Sequence, residues 1–127
     1  MQKEPIRGVA PVILALGISL VFAGAAWAAH HGWSGYDETK PLNFTGTIRD
    51  SGYDNPHGFV ELEVAGNPAK TWHVVLAPPS RMETRGLPKE MLKTGATATV
   101  VGYQEKTKPG ELRAERITIG GKTTELR

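Results

Sequence analysis

The sequence predicts a mainly β protein, a small barrel of five or six strands preceded by a leader segment. Three observations predict it. Apolar and polar residues alternate in several short runs after Pro41, the period expected of strands with one buried face. Glycine (15) and proline (9) gather between those runs, where turns are needed. A single stretch, 80–93, breaks the alternation with helix-like spacing. The length of 127 residues is that of one domain.

The leader comes first. Lys3 and Arg7 precede a run from Gly8 to Ala29 without a charged residue, and Ala25, Ala26, Trp27, Ala28 and Ala29 close it. A basic start, an apolar stretch and a small-residue end describe a secretory signal peptide, expected over residues 1–28. Ala26 and Ala28 place small side chains at the two positions a signal peptidase reads, so the expected cut follows Ala28. A cut after Ala29 would put Trp27 at one of them. The alternative is an uncleaved anchor, since roughly 20 apolar residues span a bilayer. Pro11 and the Ala/Gly-rich end favour cleavage, and the expected location is periplasmic or secreted.

Charge and cysteine content exclude several functions. The formal net charge is +2, and Lys3, Arg7 and Glu4 leave with the leader. No Lys/Arg run follows, so the electrostatic footprint of a nucleic-acid binder is missing from the sequence. No second apolar stretch is long enough to cross a membrane. With no cysteine there is no disulfide framework, thiolate metal site or cysteine nucleophile.

Residues 29–41 lack periodicity and are rich in turn formers, so they are expected to form an irregular arm held by Trp33 and Tyr36. The barrel domain is expected over 42–127. Leu42, Phe44, Gly46 and Ile48 form the apolar face of a first strand, and residues 50–58 read as a turn. Val60, Leu62 and Val64 mark a second strand; Trp72, Val74 and Leu76 mark a third. Pairing Val60 with Leu76, Leu62 with Val74 and Val64 with Trp72 keeps every apolar residue on one face. That register sets Glu61 beside Val75 and Glu63 beside His73, with a loop over 66–70. Ser80 is the expected cap of a short helix through Arg85, and Pro88–Lys93 a second short turn. Ala98 and Val100 mark a fourth strand. Leu112 and Ala114 begin a fifth, but Ile117 and Ile119 sit on the opposite parity, which requires a bulge near Glu115–Arg116. Gly120-Gly121 signals a hairpin into a last short strand over 122–126. Three strands, a helical link and a closing hairpin follow the order of an OB-fold-like barrel. Another open barrel or a short β-sandwich is the alternative.

The chemistry centres on histidine. A cut after Ala28 would leave Ala29-His30-His31 at the new terminus. The free amine, two backbone amides and the His31 imidazole then supply four nitrogens in a plane, the geometry Cu(II) and Ni(II) prefer. A cut after Ala29 would let the amine and imidazole of His30 chelate copper, with another histidine completing the set. His57, in Asn55-Pro56-His57-Gly58, is the candidate third ligand from a loop at the barrel rim. His73 is instead expected to pair with Glu63 on the surface. Glu61 and Glu63 share an outward strand face, the default place for solvated carboxylates. Ser34, Ser51 and Ser80 lack a nucleophile elbow, and no phosphate-binding glycine loop occurs. No enzymatic constellation is therefore expected. The two functional readings are a copper-binding module using His30, His31 and His57, and a metal-free domain. The latter would dock a protein or small ligand on the outer face bearing Phe59 and Val75.

A set of ordered features carries a family resemblance. His30-His31 stands just after the leader, and Lys40-Pro41 precedes Gly46-Thr47-Ile48. Asn55-Pro56-His57, Trp72, Arg85-Gly86-Leu87 and Gly95 follow, leading to Val101-Gly102-Tyr103. The sequence resembles the small exported bacterial proteins grouped as domain of unknown function 6152. Members commonly carry serine after the paired histidines, where this chain has Gly32. The resemblance implies a periplasmic or secreted β-rich domain and supplies no catalytic residue.

Overall fold

A computed structural model describes residues 32–127 and, before them, only Gln2 and Gly8. The expected signal peptide and the His30-His31 pair lie outside the described residues. Among the described residues six strands form the fold: β1 (Leu42–Gly52), β2 (Phe59–Val64), β3 (Lys70–Val75), β4 (Thr97–Gln104), β5 (Glu111–Ile119) and β6 (Lys122–Glu125). The sheet order is β3-β2-β1-β4-β5-β6, and a parallel pairing of β3 with β5 closes the first five into a barrel. β6 is the extra strand, hairpinned onto β5. The protein is thus mainly β, as expected.

β1 is long because two neighbours share it. Leu42–Thr47 pair with β4, and Thr47–Gly52 pair with β2. Asp50, Ser51 and Gly52, expected in a turn, instead pair with Glu61, Val60 and Phe59. Pairing partners in space outweigh the turn preference of those residues. The register steps between Ile48 and Asp50, leaving Arg49 as a bulge. Gly46 lies where the strands crowd: a Cβ there would come 2.4 Å from the Glu63 carbonyl oxygen.

The β2–β3 register differs from the expected one by two residues. Val60 faces Val74, Leu62 faces Trp72, Glu61 faces His73 and Glu63 faces Thr71. A slip of two residues leaves every side chain on the face it had, so alternation alone does not distinguish the two registers. Gly58 is the added constraint, bonding Leu76 N–H at 2.8 Å and Ala77 O at 3.0 Å.

Among the described residues Pro79–Thr84 form the one α-helix, α1. Its N-cap is Pro78, not Ser80, and no side chain caps it. Pro79 holds the first helical position, where the missing N–H costs nothing. Gly86 closes the helix at φ +79, the left-handed region glycine favours. A 3-10 turn, Lys89–Leu92, then leads toward β4.

The fifth strand bends where the parity change requires. Val101 pairs with Arg116 and Gly102 with Ala114, which leaves Glu115 as the bulged residue. Gly120 and Gly121 both have positive φ, 56 and 76, as a tight hairpin turn demands. Ile48, Val60, Leu62, Val74, Val100, Leu112 and Ile117 fill the barrel at 0% exposure, and Met82, Leu87, Leu92 and Leu126 join the same core. Among the described residues no helix is long and apolar enough to cross a membrane.

Candidate functional site

From Gly32 the chain runs along the outside of the barrel before β1. Asp37 N–H donates to Gln104 O and Lys106 N–H to Gly35 O, each at 2.8 Å. These bonds flank an isolated bridge between Tyr36 and Glu105. The arm is irregular, but it is stitched to the end of β4.

Arg113 is the centre of the attachment. Its neighbours on β5, Leu112 and Ala114, are wholly buried in the core. Strand alternation therefore turns Arg113 outward. It is nevertheless only 6% exposed, because the arm covers it. Its guanidinium carbon lies 4.4 Å from the Trp33 ring centroid and 5.9 Å from that of Tyr36. Nη1 donates to the Gly32 carbonyl at 3.2 Å, and Nη2 lies 3.4 Å from His57 Nε2. A guanidinium only donates. His57 Nε2 is therefore the acceptor of this contact.

The end of the chain reinforces the clasp. Arg81 and Arg85, on and just after α1, donate to carbonyls at the end of β6 and just beyond it. Arg81 Nη1 reaches Leu126 O at 3.1 Å, and Arg85 Nη1 reaches Glu125 O at 2.8 Å and Arg127 O at 3.0 Å. Arg127, so held, lays its guanidinium 4.4 Å from the Trp33 centroid and pairs with Glu38 of the arm. Trp33 thus meets two guanidiniums, each contact worth about 0.5–2 kcal/mol by its degree of desolvation. Tyr103 packs edge-on against the same ring at 6.1 Å.

Burial sets the ionisation here. It pulls the Arg113 guanidinium below its ordinary value, and Arg81 and Arg127 push the same way. Arginine stays protonated through such shifts, so the clasp keeps its charge. Burial likewise raises the Tyr36 phenol, and Glu111 adds to that shift. Tyr36 therefore remains neutral beside the guanidinium.

Of the residues singled out in the sequence, His57 is at this clasp, half-buried on the β1–β2 connection. Gly32, the residue that follows His31, is bonded to the same guanidinium. His73 is elsewhere, on the outer face of β3. There its Nδ1 bonds to Glu61, not the expected Glu63, and its ring packs 5.1 Å from that of Phe59. Among the described residues no three His, Asp or Glu side chains gather as a metal cluster. Along the arm's other edge lies a cleft of about 310 Å³ lined by Asp37, Lys40, Leu42, Gln104, Glu105 and Lys106. Sequence reasoning missed Arg113. The available cue was a charged residue between two core residues of one strand.

Fold and clasp together define a class: a closed five-stranded β-barrel with an added strand, across whose outer surface a buried arginine fastens an N-terminal arm. The chain belongs to the family of unknown function DUF6152, whose model matches residues 18–113. The match takes in the histidine pair, the arm, the His57 turn and α1, and it ends at Arg113. No curated protein matches the chain.

Proposed function

We propose that this protein is an exported, OB-fold-like binding module, periplasmic or secreted, that takes Cu(II) at its processed amino terminus and is not an enzyme. His30 and His31 supply the primary ligands and His57 the further one. One observation carries the reading. A single guanidinium bonds both the carbonyl of Gly32, next in the chain after His31, and the ring of His57. One side chain thus joins His57 to the residue that follows His31 in the sequence, which supports counting His57 with the pair. The terminal amine, the deprotonated amides and imidazole are nitrogen donors of the kind Cu(II) favours.

The test is a copper titration of the exported protein, with its intact mass measured first to fix the amino terminus. Electron paramagnetic resonance should report an all-nitrogen Cu(II) site. Acetylating the terminal amine and substituting His31→Ala should each weaken uptake. An exported product that begins elsewhere, or takes up no copper, would refute the reading. The metal-free alternative, a docking face around Phe59 and Val75, would then be preferred.

A further inference from the structure

We propose that the cleft between the arm and the end of β4 binds a small zwitterion, an α-amino acid with an apolar side chain. The proposal is independent of the copper reading. The cleft has about 310 Å³ and is lined by Asp37, Lys40, Leu42, Gln104, Glu105 and Lys106. That is the low end of small-ligand sites, about 300–1,000 Å³, with room for one small molecule. Its two walls are fixed to each other by backbone. Asp37 N–H donates to Gln104 O and Lys106 N–H to Gly35 O, on either side of the Tyr36–Glu105 bridge. The cleft is therefore built before any ligand arrives. Leu42, which packs against the core, gives it an apolar floor.

The charges select the ligand. Asp37 and Glu105 balance Lys40 and Lys106, so the cleft favours neither a simple anion nor a simple cation. Each carboxylate is oriented by a threonine. Asp37 Oδ1 accepts from the Thr39 N–H at 3.1 Å and from the Thr39 hydroxyl. Glu105 Oε2 accepts from the Thr107 N–H at 2.8 Å and from its hydroxyl at 3.0 Å. The Thr39 bonds hold Asp37 below the usual carboxylate range, and Lys40 and Lys106 push the same way. At Glu105 desolvation works upward, but the Thr107 bonds prevail and its carboxyl also lies low. Both are therefore ionised at neutral pH. Lys106 Nζ is committed to the Ser34 carbonyl at 3.0 Å. Lys40 N–H closes a turn onto Asp37 O at 3.4 Å, and its ammonium acts on the Asp37 carboxylate. Even so, among the described residues the opposite charges of the cleft form no ion pair with one another. Neighbouring charges of opposite sign that do not join match the ammonium and carboxylate of an α-amino acid, which are carried on one carbon. The ligand's ammonium goes to Asp37 and Glu105, its carboxylate to Lys40 and its side chain to Leu42.

Amide chemical shifts of the protein in metal-free buffer test this, with L-valine, L-valinamide and N-acetyl-L-valine as probes. Valine should move the amide signals of Asp37, Leu42 and Lys106 and leave those of β2 in place. Valinamide lacks the carboxylate and N-acetylvaline lacks the ammonium. Each should bind about ten-fold more weakly, the loss of one charge-assisted hydrogen bond. Asp37→Asn and Lys40→Gln should each weaken valine binding by about the same factor. Should Asp37→Asn loosen the turn at Thr39, Lys40→Gln leaves that turn's bonds in place and decides alone. Glycine, with no side chain to set on Leu42, should bind more weakly than valine. No shift with millimolar valine, equal binding of the three probes, or valine binding indifferent to Lys40→Gln would overturn the proposal. So would binding of one derivative alone, which would mark the cleft as a site for a simple cation or anion.

Discussion

Alanine at Gly102 tests whether the bulge in β5 sets the position of Arg113. Gly102 faces Ala114 where the β4–β5 register steps past Glu115. A Cβ on Gly102 would lie 2.1 Å from the Arg113 carbonyl oxygen and 2.8 Å from the Ala114 Cα. Carbon–oxygen contacts between strands are ordinarily about 3.3–3.6 Å, so the strands would have to part by about 1 Å. The obstructing atoms are backbone and have no rotamer to change. Overpacking costs about 1–3 kcal/mol, and a backbone clash belongs at the upper end, about 3 kcal/mol. At about 4–8 °C per kcal/mol for a domain of this size, Gly102→Ala should lower Tm by about 12–24 °C. Thermal unfolding followed by circular dichroism measures it directly. A loss below about 4 °C would show that the strands accommodate a methyl group at the bulge, and the account of how β5 holds Arg113 would be wrong.

Two pH effects follow from the same geometry. The Arg49 guanidinium, bonded to Glu63 at 2.8 Å, holds that carboxyl below its usual value. Its contribution to stability is present above the ordinary carboxylate pKa and is lost as pH falls through the depressed folded value. Glu63→Gln should therefore flatten the acid limb of a urea-midpoint titration below about pH 4, and an unchanged limb would refute the pairing. Burial raises the Tyr36 phenol, so its contribution is complete below the unfolded tyrosine value. It is lost as pH rises through the folded one, above about pH 10. Tyr36→Phe should flatten the alkaline limb, and a limb as steep as the parent's would show that Tyr36 is not covered as described.

The barrel was legible wherever a pattern had no rival of equal parity. The switch of apolar residues from Leu112 and Ala114 to Ile117 and Ile119 admits one solution, an extra residue, and Glu115 is that residue. The Gly120-Gly121 hairpin was equally plain, because positive φ at both positions suits glycine best. The β2–β3 register was not legible, since a two-residue slip preserves both faces and only the bonds of Gly58 to Leu76 and Ala77 discriminate. The end of β1 was hidden for another reason. Asp50, Ser51 and Gly52 are turn formers by local chemistry, and their strand pairing with β2 exists only once the chain has folded back.

The site was half legible, and the missing half follows a rule of strands. His57 and the aromatic arm could be picked out by residue type, but their meeting point could not, because alternation places Arg113 on the outer face and predicts it solvated. Its 6% exposure shows that something covers that face. A buried guanidinium needs donors' partners and flat rings, and the arm supplies both, in the Gly32 carbonyl and in Trp33 and Tyr36. The aromatic residues of the arm and the arginine of β5 are thus two halves of one requirement, written far apart in the chain. Neither half alone distinguishes a solvated residue from a clasp. Only barrel closure, which carries β5 under the arm, brings them together and sets Gly32 and His57 on the two nitrogens of one side chain.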